Sequence, residues 1–249
     1  MDRIADFRQV FAQVVTTRAG GCAPEIREAF ARVPRHEFVG PGPWQLSEHG
    51  DVTPSDDPAL VYQDIGMGLA PQRGIPTGLP SLHARCIAAC APQPGEHVVH
   101  VGAGSGYYTA ILAELVGPSG RVDAFEIDRE LAARARASLE RWPCVRVESA
   151  SGVDRPLGDV DLVYVSAGVQ QPPRAWLDAL RSGGRLVFPL APNDAIGGVL
   201  MLTRTDSRQV FAASFVCPAR FVPCVGAPGL SHPATESAIP ICRAQCLDL

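Results

Sequence analysis

A glycine-rich stretch in the middle of the chain has the composition of a ligand-binding turn. Residues 97–110 read HVVHVGAGSGYYTA, an apolar run followed by three glycines and then by a helix-forming segment. Such a turn between a strand and a helix usually holds a nucleotide, because glycines let the ligand approach the backbone closely. The first question is therefore which nucleotide the turn fits.

The spacing of the glycines argues against a dinucleotide. The fingerprint GxGxxG needs its third glycine where the helix packs on the strand, and Tyr107 occupies that position. This chain has Gly102, Gly104 and Gly106 instead. About twenty residues further along, Glu126 ends the next apolar segment, where a carboxylate can accept hydrogen bonds from both hydroxyls of a ribose.

The remaining reactive residue types form no strong constellation. His83, Cys86 and Cys90 could share one helix face, and Cys242 and Cys246 another, but neither group has the CxxC spacing of a zinc site. We therefore expect free thiols and no metal. All 22 basic residues are arginine, which excludes chemistry that requires lysine. No Ser/His/Asp or Cys/His arrangement stands out.

Composition restricts the class of partner. The 249 residues are 46% hydrophobic and 19% charged, which is enough apolar material for one core. The net charge of -4 provides no basic surface for nucleic acid. No apolar run approaches the roughly 20 residues that span a bilayer, and no secretion signal is visible. We expect a cytoplasmic protein, a monomer or weak homodimer, that acts on a small molecule or a peptide.

Hydrophobic periodicity and turn residues predict the elements that position the turn. Two short helices, over residues 4–16 and 23–32, precede a long Gly- and Pro-rich segment over residues 41–80. From residue 81 helices and strands alternate regularly. The predicted helices are 81–90, 107–116, 129–141 and 174–180, and the predicted strands are 97–101, 121–127, 145–148, 160–166 and 185–190.

The alternation predicts an α/β fold with a doubly wound, mostly parallel sheet and helices on both faces. Two further strands, 198–204 and 209–216, flank a turn at 205–208 and predict an antiparallel C-terminal hairpin. The tail from residue 227 is turn-rich, and we expect it to lie over the surface. The predicted regions are a helical N-terminal extension and lid (1–80), the cofactor-binding domain (81–226) and a C-terminal tail (227–249).

A strand, a GxGxG turn, an acidic end of the next strand and an antiparallel finish together resemble the Rossmann-like class I methyltransferases, which bind S-adenosylmethionine. Roughly residues 5–226 further resemble the protein-L-isoaspartate O-methyltransferases. The stretches that carry this resemblance, in the order of the family, are VPRHEFVG (33–40), VYQD (61–64), VGAGSGYYTAILAELVG (101–117), VDAFEID (122–128), DLVYVSAGVQQPP (161–173), LRSGGRLVFPL (180–190) and FVPCVG (221–226).

The resemblance implies transfer of a methyl group from S-adenosylmethionine to a carboxylate in a peptide, a protein or a small molecule, as in an isoaspartyl residue. A carboxylate is ionised at neutral pH, so the reaction needs alignment and exclusion of water rather than a strong base. Residues 62–81 would form the acceptor lid. Its candidate acceptor-site residues are the hydroxyls of Thr77 and Ser81 with Tyr62 and Asp64, the last two equally expected to anchor the loop.

The acceptor lid departs from the family at residue 78. The family carries a Thr-Ile-Ser-x-Pro loop whose serine lies near the reacting carboxyl, and alignment on Pro80 puts Gly78 at that serine. Either Thr77 or Ser81 supplies a hydroxyl from a neighbouring position, or the glycine leaves room for a different acceptor. We expect His83 to pack on its helix rather than to reach the acceptor.

A second departure lies on the adenine side. The family places an aspartate beside the adenine, and this chain has Ala150 or a neighbour there, so recognition would rely on backbone groups or on Ser149 or Ser151. The residues that the resemblance implies for cofactor binding are His100, Gly102, Gly104, Ser105, Gly106, Tyr107, Glu126, Ile127, Ser149, Ala150 and Ser166.

His100 is the third departure. Class I methyltransferases usually carry Asp or Glu there, near the positively charged amino group of the cofactor's methionine part. A protonated imidazole would oppose that charge, whereas a neutral one could accept a hydrogen bond. In that place His100 should make cofactor affinity differ between about pH 6 and about pH 8. The alternative is a histidine that is tolerated at a strand end.

These departures leave two alternatives to an isoaspartyl methyltransferase. One is a specialised biosynthetic enzyme that uses S-adenosylmethionine on a small metabolite or a modified peptide, with methyl transfer or with different chemistry. The other is a binding protein that kept the fold without turnover, against which the intact glycines and Glu126 argue.

Overall fold

Helices and strands alternate along the chain as predicted. The computed structural model describes residues 3–46, 50–191, 197–207 and 210–229, and the backbone of 241–246. In this part of the chain the α-helices are α1 (Arg3–Arg18), α2 (Pro24–Arg32), α3 (Pro80–Cys90), α4 (Tyr107–Val116), α5 (Arg129–Ser138) and α6 (Arg174–Ala179). The strands are β1 (Gly68–Ala70), β2 (Ile75–Pro76), β3 (His97–Val101), β4 (Arg121–Glu126), β5 (Val145–Ser149), β6 (Val160–Val165), β7 (Leu180–Leu190), β8 (Gly197–Arg204), β9 (Phe211–Ala219) and β10 (Ile241–Cys246).

Eight of the described strands form one sheet in the order β10-β9-β8-β7-β6-β3-β4-β5. The strands from β7 to β5 in this order are parallel, and β8 is antiparallel to both of its neighbours. The chain builds outward from β3 to β4 and β5, and then returns to the other side of β3 with β6. Ligands of such sheets bind at the carboxyl ends of the strands where the order reverses. The predicted doubly wound fold with an antiparallel hairpin is confirmed.

The central strands are apolar because helices cover both faces of the sheet. On one face, Phe11 of α1 and Phe30 of α2 join a core cluster that continues through α3 and α4. On the other face, Trp176 of α6 packs with Val163 and Phe188. Each such side chain contributes on the order of 1.5–3 kcal/mol when it is fully buried.

The N-terminal helices belong to this core. α1 packs against α2 and α3, and α2 packs against α4. Pro34 ends α2, because the residue before a proline is restricted to extended conformations, and Val33 has ψ of 118°. The chain therefore turns at residue 33 and leads residues 35–46 and 50–80 back across the carboxyl edge of the sheet. No described helix is long and apolar enough to cross a membrane.

Two predictions about the elements before the C-terminal tail need correction. The segment 41–80, expected to be irregular, contains the small antiparallel hairpin β1–β2. The strand expected at 185–190 already begins at Leu180, because Gly183 and Gly184 lie in a bulge within β7 rather than in a turn before it.

The tail was expected to be turn-rich and to lie over the surface, but its residues 241–246 form a strand that the sequence did not predict. These residues form β10, which pairs in parallel with β9 and extends the sheet. A turn-rich composition gave no signal for this strand. The parts of the predictions that fall on residues 208–209, 230–240 and 247–249 lie outside the described residues.

The junction between the glycine-rich loop and α4 generates a test of the fold. Gly106 has φ of 95°, and a Cβ there would lie 2.7 Å from Leu139 Cδ1. Gly106→Ala combines backbone strain with a clash and should lower the free energy of unfolding by about 3 kcal/mol. Gly158→Ala is the control, because Gly158 has φ of 73° but open space, and should lower it by about 1 kcal/mol. Urea denaturation measures both, and equal losses would contradict the packing argument.

Candidate active site

The glycine-rich loop joins β3 to α4 at the carboxyl edge of the sheet. Gly102, Gly104 and Gly106 have φ of 77°, 58° and 95°. This left-handed region strains residues other than glycine. The amides of Gly102 and Ala103 donate to the carbonyl of Phe125 at 2.9 and 3.1 Å, which ties the loop to the end of β4. The glycines therefore set a backbone path that other residues would not adopt.

Glu126 ends β4 beside this loop, and its side chain is buried. Its Oε2 accepts a hydrogen bond from the Gly104 amide at 2.7 Å, and its Oε1 accepts one from the Asp128 amide at 2.9 Å. Burial raises the pKa of Glu126, while these two N–H groups oppose the rise. Each oxygen of a carboxylate has two acceptor positions, so both oxygens keep capacity for a hydroxyl. The carboxylate and the glycines therefore fit the ribose side of S-adenosylmethionine.

The wall beyond Glu126 is built by the start of α5 and the end of β5. Ser149 pairs with Glu126 across the two strands, and the Ala150 amide donates to the Glu126 carbonyl at 3.0 Å. Ile127 is about half exposed at this edge. The Ser151 hydroxyl accepts a hydrogen bond from the Val153 amide at 3.2 Å. Contact of an adenine with Ile127, Ser149 or backbone groups here stays a prediction.

Like Glu126, two further predicted cofactor contacts in the loop region, Ser105 and Tyr107, have buried side chains. Ser105 is 3% exposed. The Tyr107 ring packs edge-on against Phe30 and Phe38, with ring centroids 6.2 and 5.7 Å apart. Its side chain thus joins α2 to α4 instead of facing the loop. A contact with the cofactor at residue 107 would have to come from the backbone.

His100 is enclosed within the sheet rather than presented to a ligand. Its Nδ1 lies 2.8 Å from Thr109 Oγ1 and its Nε2 lies 2.9 Å from Ser166 Oγ. Burial lowers the pKa of His100 to about 3. The ring stays neutral between about pH 6 and about pH 8. His100 therefore gives no reason for cofactor affinity to change over this range, and the expectation that it would is wrong. His100 instead orients Ser166, which follows directly on β6.

A buried arginine that the sequence did not single out organises the acceptor lid, residues 62–81. Arg35 is fully buried. Its guanidinium donates to the carbonyls of Val61, Gln63 and Ile65, each at 2.6 Å. It also lies 3.4 Å from Thr77 Oγ1. The residue type carried no clear signal, because Arg35 stands beside His36 and Glu37 in the stretch VPRHEFVG.

The two candidate hydroxyls lie on either side of Gly78. Thr77 Oγ1 accepts a hydrogen bond from the Met67 amide and donates one to the Gly78 carbonyl, both at 3.0 Å. Ser81 lies in the first turn of α3 and is 9% exposed. The Thr77 hydroxyl is thus engaged by the backbone of the lid. A role of either hydroxyl toward an acceptor stays a prediction.

Tyr62 and Asp64 have the contacts of loop anchors. The Tyr62 hydroxyl lies 2.5 Å from His36 Nδ1, and burial raises the pKa of Tyr62 to about 12. Asp64 Oδ1 accepts a hydrogen bond from the Ser81 amide at 2.8 Å, and its Oδ2 pairs with Arg18 at 3.1 Å. The sequence left open whether these two residues position the acceptor or anchor the loop, and these contacts favour anchoring.

The hairpin β1–β2 places the acceptor lid against the glycine-rich loop. A Cβ on Gly104 would lie 3.2 Å from Leu69 Cδ1. The Leu69 carbonyl accepts a hydrogen bond from Arg134 Nη1 at 3.1 Å, and Arg73 Nη2 pairs with Glu130 Oε2 at 2.9 Å. Arg134 and Glu130 both belong to α5. The lid therefore lies over the glycine-rich loop and is fixed to α5 by these two contacts.

Metal ligation has no basis in the described residues. No group of three or more His, Cys, Asp or Glu side chains there is arranged to hold an ion. The cysteines whose side chains are described are all free thiols.

Comparisons with known proteins agree with this geometry. A family model described as protein-L-isoaspartate(D-aspartate) O-methyltransferase matches residues 12–228. A protein-L-isoaspartate O-methyltransferase of Aeropyrum pernix is 36% identical over 174 residues, 68% of this chain but only 61% of that protein. One from Methanopyrus kandleri is 32% identical over 213 residues, 84% of this chain and 86% of that protein.

A solved structure is similar along most of the fold. It is described as a protein-L-isoaspartate O-methyltransferase of Plasmodium falciparum in complex with S-adenosyl-L-homocysteine. Its TM-score is 0.70 at 17% identity, over 87% of this chain and 97% of that chain. At this identity the likeness concerns the fold.

The sheet that reverses at β3, the GxGxG loop and the buried carboxylate at the end of β4 define a class I, S-adenosylmethionine-dependent methyltransferase. The family match narrows this class, since it covers most of the chain. The chain belongs to the protein-L-isoaspartate(D-aspartate) O-methyltransferase family, which confirms the resemblance found in the sequence.

The position of Glu126 predicts how a matched pair of variants binds the cofactor product. Glu126→Gln replaces an acceptor oxygen by an amide NH₂ and should weaken the binding of S-adenosylhomocysteine about 10- to 100-fold. Glu148→Gln is the control, because Glu148 is exposed and pairs with Arg155, and should bind like the wild type. Isothermal titration calorimetry measures both affinities. Wild-type affinity in Glu126→Gln would contradict the assignment of this carboxylate.

Proposed function

We propose that this chain methylates the free carboxylate of isoaspartyl residues in peptides or proteins, with S-adenosylmethionine as methyl donor. The observation that carries the proposal is the buried Glu126 carboxylate bound to the glycine-rich loop, with an ordered lid across that loop. Membership of the family supports the choice of acceptor. The proposal includes a cytoplasmic location and a monomer or weak homodimer, with neither nucleic acid nor membrane as partner.

The residues present fit the cofactor. Gly102, Gly104 and Gly106 would let it approach the backbone, and Glu126 would accept hydrogen bonds from its ribose. The bound cofactor would supply a methyl carbon attached to a positively charged sulfur, so the acceptor oxygen gains the methyl group while the sulfur leaves as a neutral thioether. A carboxylate is the matching acceptor, because it carries the negative charge that cancels the sulfonium.

This chain does not need a general base for that reaction. The acceptor carboxylate is already ionised near neutral pH. Burial lowers the pKa of both His83 and His100 to about 3, so neither ring carries a charge there that would compete for the acceptor. Catalysis then consists of aligning the carboxylate with the methyl group and excluding water.

The acceptor lid would provide that alignment. Arg35 fixes its first half through carbonyls, and Asp64 fixes its end through the amide of Ser81. We propose that Thr77 and Tyr62 keep the backbone of the lid in place around the acceptor. Water exclusion would come from Leu69, whose side chain rests on the glycine-rich loop.

A labelling assay tests the proposed acceptor. The protein is incubated with methyl-labelled S-adenosylmethionine and an isoaspartyl peptide, its aspartyl counterpart of the same sequence, or no acceptor. We expect a base-labile labelled ester on the isoaspartyl peptide alone. Ester formation on both peptides, or cofactor binding without ester on either, would contradict the isoaspartyl acceptor.

A further inference from the structure

His83 is a buried side chain whose orientation is fixed from two sides. It lies on α3 and is 2% exposed. Its ring stacks on that of Tyr108, with centroids 3.6 Å apart and an interplanar angle of 12°. Its Nδ1 lies 2.9 Å from the Tyr164 hydroxyl. Stacking and this hydrogen bond leave the imidazole one orientation, so the direction of its second nitrogen is also set.

The second nitrogen, Nε2, lies close to Gly78. A Cβ on Gly78 would lie 2.5 Å from His83 Nε2, closer than any side chain tolerates. Gly78 also has φ of 78°, a backbone conformation that disfavours side chains. Within the described part of the chain, the only hydrogen bond of the ring is the one through Nδ1. A side chain at residue 78 would therefore collide with the imidazole, whose Nε2 lies beside the lid and has no hydrogen-bond partner among the described residues.

The partner of Nδ1 decides which nitrogen carries the proton. Burial raises the pKa of Tyr164 well above its usual value and lowers the pKa of His83 to about 3, so both groups are neutral at neutral pH. A neutral imidazole has one N–H donor and one acceptor. When the phenol O–H donates to Nδ1, the hydrogen of the ring is on Nε2. His83 then presents an N–H donor toward Gly78.

This donor lies where the acceptor lid meets the cofactor loop. Tyr108, on which the ring stacks, is in the first turn of α4 directly after the glycine-rich loop. The Tyr108 hydroxyl lies 3.5 Å from the Gly78 carbonyl. Tyr164 lies near the carboxyl end of β6, two residues before Ser166, and pairs with His100 of β3. A polar nitrogen of His83 without a partner among the described residues is therefore available to donate to a ligand at this junction.

We propose that His83 is an acceptor-binding residue, whose Nε2–H donates a hydrogen bond to the oxygen of the acceptor carboxylate that does not receive the methyl group. This inference rests on the proposed function. A carboxylate suits the geometry, because one oxygen can react while the other accepts a charge-assisted hydrogen bond. No proton moves in this step. The hydrogen stays on Nε2 while the other oxygen is methylated.

Two substitutions separate the two nitrogens of the ring. In His83→Gln the terminal amide NH₂ reaches about as far as Nε2, so a donor toward Gly78 is kept. In His83→Asn the amide reaches only as far as Nδ1, so a partner for Tyr164 is kept and the donor toward Gly78 is lost. A merely structural role through Tyr164 would favour Asn, whereas a role toward the acceptor favours Gln.

The test measures binding and turnover of the same isoaspartyl peptide. Peptide affinity is determined by calorimetry in the presence of S-adenosylhomocysteine, and kcat/KM is determined with S-adenosylmethionine. We expect His83→Asn to lose about 10- to 100-fold in peptide affinity and in kcat/KM, and His83→Gln to stay within about 5-fold of the wild type. S-adenosylhomocysteine affinity is the folding control and should be unchanged in both variants.

The outcomes distinguish this inference from the proposed function. Equal peptide affinity in the wild type and in both variants, or a larger loss in Gln than in Asn, would overturn the role of His83 and leave the proposed function intact. A wild type that neither binds nor methylates the isoaspartyl peptide would instead contradict the proposed function, on which this inference rests.

Discussion

The active site depends on a buried positive charge, that of Arg35, which forms no ion pair with a carboxylate in the described part of the chain. Burial of a guanidinium is strongly unfavourable unless hydrogen bonds replace those of water. For Arg35 the carbonyls of Val61, Gln63 and Ile65 provide them. The planar fork of arginine can serve three carbonyls at fixed angles, which a lysine ammonium cannot reproduce. The path of the lid after residue 61 therefore follows from providing carbonyl acceptors for the two terminal nitrogens of this side chain, whose Nε has no partner among the described residues.

The cofactor half of the site could be predicted from the sequence because its causes are local. The three glycines and Glu126 lie within one strand–loop–helix–strand unit, and their spacing alone defines the ligand-binding turn. The partners of Arg35 lie 26 to 30 residues further along the chain, and nothing in their residue types signals a carbonyl acceptor. Every residue has such a carbonyl, so only the fold identifies them. The strand at residues 241–246 escaped prediction for a similar reason, since its pairing with β9 is non-local.

The histidines show a further limit of sequence reasoning. At a strand end, His100 suggested a titrating group beside the cofactor, but the hydroxyls of Thr109 and Ser166 enclose it and its charge is suppressed. His83 was expected only to pack on its helix, and it does pack, but its packing aims one nitrogen at Gly78. Residues 78 and 83 depend on each other, because a side chain at 78 would displace the ring. The glycine at residue 78 thus has a steric reason in this chain, which its sequence alone did not show.

The claim that Arg35 orders the lid is tested most directly by amide hydrogen exchange followed by mass spectrometry in wild type and Arg35→Lys. This variant keeps the positive charge but replaces the planar guanidinium, with its several N–H donors, by an ammonium group. We expect the peptides that cover residues 61–81 to lose protection, while those that cover β3 and β6 exchange as in the wild type. Arg27→Lys, at an exposed arginine of α2, is the control and should change neither. Unchanged protection of residues 61–81 in Arg35→Lys, or an equal loss along the whole chain, would contradict the central place of this arginine.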